Sequence, residues 1–147
     1  MENEINWLSV IIASLTPLVI GSLYYHRAVF GRTFGDVSEN PTGNKAKIVA
    51  LIFAFALSLL MSFFMLNFNN DGIDQEGDFD TFRHGAWHGA LLAIVIVIPV
   101  LVINGYFARS KWKSTLVHGL FWLLTLALMG GILDAMNHWT NISIPEG

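Results

Sequence analysis

The sequence predicts an all-α fold: a polytopic membrane protein of four transmembrane helices with both termini outside. Three observations carry this prediction. Four apolar stretches, residues 5–25, 47–68, 85–107 and 114–136, hold about 21–23 residues each. At about 1.5 Å per residue each can cross a hydrocarbon core of about 30 Å, and in lipid only a helix pairs all its own backbone groups. The chain of 147 residues is 54% hydrophobic and 13% charged, too apolar for a soluble domain of this length. Finally, Lys and Arg fall almost wholly in two of the three connections.

Those connections set the orientation. The first holds Arg27, Arg32, Lys45 and, at its edge, Lys47; the third holds Arg109, Lys111 and Lys113. The middle one has Arg83 against Asp71, Asp74, Glu76, Asp78 and Asp80. Basic loops stay in the cytoplasm, so loops one and three are expected inside and the termini outside. Trp7, Trp87 and Trp139 then mark the outer interface, and Tyr24, Tyr25, Tyr106 and Trp112 the inner one. Residues 1–147 form a single four-helix transmembrane domain, with no room for a soluble catalytic domain. There is no cysteine, hence no disulfide or thiolate chemistry. The acidic Met1–Glu4 start and the lack of a small-residue cleavage pattern mark the first stretch as a retained helix. The bilayer is the expected partner; nucleic acid is not.

In the first stretch, Pro17 predicts a kink, because it removes a donor and frees the Ala13 carbonyl. The second carries small residues at Ala46, Ala50, Ala54, Ser58 and Ser62, along nearly one face. The third has Gly85, Gly89 and Ala93, and the fourth Ala127, Gly131 and Ala135. Such stripes let helices approach closely in lipid. They are read as packing within the bundle, with a homo-oligomer or membrane-protein partner as the alternative. The short third loop requires an antiparallel hairpin of helices three and four.

The third helix opens Asp80-Thr-Phe-Arg-His84-Gly-Ala-Trp-His88, with Asp80 as expected N-cap. Asp134 and His138 close the fourth. With the hairpin midpoint near residue 111, His84 is level with His138, and His88 with Asp134 one turn deeper. His84, His88, Asp134 and His138 therefore form an outer-side cluster with three readings. Imidazoles and a carboxylate suit a divalent transition metal such as Zn, Ni, Cu or Fe. They also suit a proton relay, or a purely structural lock on hairpin register. Asn104 and His118 share a second height, but sit about 160° round from the first pair on an ideal helix. Both pairs can face the seam only if Pro99 re-aims the third helix; otherwise they are packing polars. The acidic loop matches parts of a calcium loop at Asn67, Asn69, Asp71 and Gly72, but lacks the bidentate Glu and reads as solvated. Asn141-Ile-Ser143 is a nominal glycosylation acceptor, discounted because of the bacterial family resemblance that follows.

Asn6-Trp7-Leu8, Gly21-Ser-Leu-Tyr-Tyr25 and Phe30-Gly31 resemble the opening of a bacterial membrane family called domain of unknown function 1761. Thr81-Phe-Arg-His84-Gly-Ala-Trp-His88-Gly and Leu126-Ala-Leu-Met-Gly-Gly131 resemble its Bacteroidetes-like variant. The chain departs at Tyr24, where a Trp is usual, and at His26-Arg27, where Ser-Pro is usual. The resemblance implies a four-helix inner-membrane protein and transfers no catalytic residue. The expected function is a non-enzymatic binding or assembly subunit, or a small transporter component. A membrane-embedded metal-binding protein or metalloenzyme using the His/Asp cluster is the alternative.

Overall fold

A computed structural model describes residues 6–26, 29, 44–68 and 81–137. It has four helices: α1 (Trp7–Tyr24), α2 (Asn44–Phe68), α3 (82–107) and α4 (Trp112–Asn137). Among the described residues there is no strand. The bounds lie within three residues of those expected. The differences that matter are at α4, which starts two residues earlier than Ser114, and inside α3. There a π turn, Ala93–Val97, separates two α segments, Phe82–Leu92 and Ile98–Phe107. Its cause is local. Pro99 has no N–H, and its ring crowds the carbonyl four residues back, so the preceding turn widens. The Ile98 N–H reaches back five residues to the Ala93 carbonyl. α1, by contrast, runs on through Pro17.

α4 is the central helix, touching α1, α2 and α3; half of its apolar window is buried. The core takes residues from all four helices: Val10 and Ala13, Met61, Ala93, and Leu126, Met129 and Leu133. α3 approaches α4 closely at its glycines. A Cβ on Gly85 would strike the Gly130 carbonyl and Asp134; one on Gly89 would strike the Leu126 carbonyl. The Gly85, Gly89 and Ala93 stripe is thus buried within the bundle. Of the α2 stripe, Ala54, Ser58 and Ser62 are buried and Ala50 is exposed; the Ala46 side chain lies outside those described. Ser58 donates from Oγ to the Val10 carbonyl at 2.8 Å, which ties α2 to α1.

The outward faces are apolar. Phe53 is 71% exposed on α2 and Val95 67% on α3, each among many exposed aliphatic and aromatic neighbours. Water would not tolerate such a surface on a monomer of this size, but lipid would. α1, α3 and α4 are long and apolar enough to cross a membrane; the apolar part searched in α2 is Ile48–Phe64.

Helix ends are closed by specific residues. Asn6 caps α1, its side-chain oxygen accepting from the Leu8 and Ser9 N–H groups. The same side chain donates from Nδ2 to the Met136 carbonyl at 2.8 Å, so one residue serves the start of α1 and the end of α4. Thr81, rather than Asp80, caps α3 by accepting from the His84 N–H; Asp80 lies outside the described residues. α3 ends in a Schellman turn: the Ser110 N–H reaches the Gly105 carbonyl and the Arg109 N–H the Tyr106 carbonyl. Arg109 occupies its left-handed position at φ 52°, where glycine is the usual residue.

Candidate functional site

The close α3–α4 approach at Gly85 and Gly89 brings the two helices' polar side chains within reach. His84 Nδ1 lies 3.0 Å from Asp134 Oδ2, and His84 Nε2 lies 3.0 Å from His88 Nε2. The rings of His84 and His88 meet edge to face, their centroids 4.4 Å apart. Asp134 is 3% exposed and the His84 side chain 24%, so the row runs from the bundle interior towards its surface.

Chemistry orders the protons along this row. An ionised carboxylate has only acceptors, so His84 donates to it from Nδ1. In neutral His84 the other nitrogen, Nε2, is then an acceptor that faces His88. A carboxylate this buried needs a donor of that kind, because an unpaired one would be strongly destabilising.

Three of the four expected site residues are therefore brought together; His138 lies outside the described residues. The pairing differs from the expectation by one turn: His84, rather than His88, meets Asp134. Two features explain it. The turn's midpoint falls between Arg109 and Ser110, not at Lys111, because α4 begins at Trp112. Reflected through that midpoint, His84 is level with Ala135. The π turn absorbs one residue of α3's rise and moves the partner back to Asp134. Among the described residues, no group of three or more His, Asp or Glu side chains is arranged to hold a metal ion.

Asn104 and His118 also share one place, lining a notch between α3 and α4 at the opposite end. The π turn contributes on the α3 side: one inserted residue rotates that face by about 100° and reduces the offset of Asn104 from His88 from about 160° to about 60°. His118 is held from behind by the Tyr25 hydroxyl, 2.7 Å from its Nδ1. Tyr24 donates to the Val117 carbonyl at 2.9 Å, and both tyrosines pack on Phe121. This clamp of α1 on α4 was not read from the sequence, which marked these tyrosines only as interface aromatics. The equal height of Asn104 and His118 was the usable signal for the notch.

Four helices with apolar outward faces and a buried His–Asp contact define a helical membrane protein. The family model described as "Protein of unknown function (DUF1761)" matches residues 8–134, and the chain belongs to that family. No curated protein and no solved structure matches the chain.

Proposed function

We propose that this chain is a non-enzymatic, multi-pass inner-membrane protein, a binding subunit or small transporter component, whose outer-side His84–His88 pair takes one divalent transition-metal ion. In this reading all four helices span and both termini are outside, which follows from seven basic residues in loops one and three against one in the middle loop.

The observation that carries the metal reading is the facing of the two Nε2 atoms at 3.0 Å, with Asp134 behind His84. Two imidazoles on one ion, with bonds of about 2.0–2.1 Å, place their nitrogens about 2.9 Å apart at a right angle and about 3.4 Å apart in a tetrahedron. Asp134 is then no ligand. By holding the His84 proton on Nδ1 it presents the Nε2 lone pair and fixes the ring. His138, four residues beyond Asp134, is the candidate third ligand. A proton relay is the second reading, favoured by the same row because it links a buried carboxylate to two imidazoles in series.

Elemental analysis and calorimetric titration of Zn or Ni into protein purified without chelator separate the two. The metal reading expects stoichiometric binding, lost in His88→Ala and retained in His118→Ala. Asp134→Asn should weaken it about 10–100-fold. Binding should fade as pH drops through about 6.5, where an unperturbed imidazole takes up its second proton. No binding by wild type would leave the relay.

A further inference from the structure

The end of the molecule away from the His/Asp row holds a second polar site. An open notch of about 180 Å³ lies between the C-terminal part of α3 and the first turns of α4. Asn104 and Ser110 line it from one side, Ser114, Thr115 and His118 from the other; no acidic side chain lines it. Thr115 is 8% exposed, yet its hydroxyl makes no hydrogen bond among the described residues. It sits directly against Gly105, where a Cβ would come within 2.6 Å of the Thr115 Oγ1. The side chains of Asn104, Ser110 and Ser114 likewise make no hydrogen bond among the described residues. The notch therefore gathers hydroxyl and amide donors that the fold itself does not use.

Its setting is cationic. Arg109 and Lys111 lie in the turn beside it and Lys113 opens α4, all three exposed. The positive end of the α4 dipole and the negative end of the α3 dipole both lie here and oppose each other, so the positive charge is that of the three side chains. Arg109 holds a left-handed conformation at φ 52°, which a glycine would take without strain. Around the notch, Tyr106 is 78% exposed and Trp112 61%. Exposed aromatics of this kind mark the depth of lipid headgroups. Hydroxyl donors, clustered cations and headgroup depth together match one ligand chemistry.

We propose that this notch binds a phosphoryl group, supplied by an anionic phospholipid headgroup or by a free phosphate. The phosphoryl oxygens accept from Thr115 and its serine neighbours, and the charge is met by Arg109, Lys111 and Lys113. The proposal is independent of the metal reading, since it shares no residue with the His/Asp row.

The test uses the full chain purified in a neutral maltoside detergent. Its thermal stability is followed during titration with dioleoylphosphatidylglycerol, with sodium phosphate against sodium chloride at equal ionic strength, and with oleate. Saturable stabilisation by phosphatidylglycerol alone assigns the lipid source; saturable stabilisation by phosphate assigns the free anion. Either bears the proposal out when Thr115→Val weakens the apparent affinity about tenfold, the loss expected for one hydrogen bond to a charged group. Thr115→Ser, which restores the hydroxyl, should bind as wild type does. Replacing Arg109, Lys111 and Lys113 together by Gln should weaken it at least as much as Thr115→Val. The proposal is overturned if neither ligand stabilises wild type, if oleate is as effective as the phosphoryl ligands, or if Thr115→Val and the triple variant respond like wild type.

Discussion

Asn6 shows how much a single side chain can settle in this protein. Its amide has an acceptor and a donor, and both are used: Oδ1 on the first N–H groups of α1, Nδ2 on the Met136 carbonyl near the end of α4. Both are backbone groups that a helix end leaves unpaired. Asn6→Ala removes both contacts and should cost about 1–2 kcal/mol in a thermal or denaturant melt. Asn6→Asp separates them. It keeps the α1 cap but puts a carboxylate against the Met136 carbonyl, so it should destabilise although aspartate caps helices as well as asparagine does. Equal stability of wild type and Asn6→Asp would show that the link to α4 contributes nothing. Residue identity was informative at Asp134 too. A carboxylate in an apolar helix announces a partner, but sequence height named His88 where the fold supplies His84.

At the scale of elements, the α3–α4 hairpin depends on glycines that have no room for a side chain. Gly89→Ala sets a methyl against the Leu126 carbonyl, so the helices must separate or shift. A loss of about 1–3 kcal/mol is expected, as for overpacking of a tight interior. Gly21→Ala is the matched control. Its Cβ would meet Phe121 at an ordinary 3.7 Å, and alanine favours a helix over glycine by about 1 kcal/mol, so stability should hold or rise. If both variants melt alike, the close crossing is not what holds the hairpin. Separation of the helices would also draw His84 from Asp134, so Gly89→Ala should weaken any metal bound there. The small-residue pattern made this contact legible in outline. It did not reveal the π turn, because Pro99 states that a helix must adjust and not how.

For the whole molecule, the distribution of charge makes the strongest expectation. Seven basic residues in loops one and three against one in the middle loop predict that both termini are periplasmic. Alkaline phosphatase fused after Gly147 should be active and a fusion within residues 108–111 inactive, with the opposite pattern for a cytoplasmic reporter. The reverse result would place the His/Asp row at the inner face and the basic notch at the outer one. The exposed apolar faces of α2 and α3 fit the same picture, since lipid replaces the water such surfaces avoid.

The sequence by itself determined the class, the four helices to within a few residues and the family, because apolar runs of bilayer length have one way to satisfy their backbone. It also selected the residues of the His/Asp row, since ionisable groups stand out against an apolar background. Only the tertiary structure decided which of them meet. Facing depends on helix rotation, and a single residue inserted at Ala93–Val97 turns one end of α3 by about 100° relative to the other. With that rotation in α3, His84 lies on Asp134 at one end and Asn104 lines the notch beside His118 at the other.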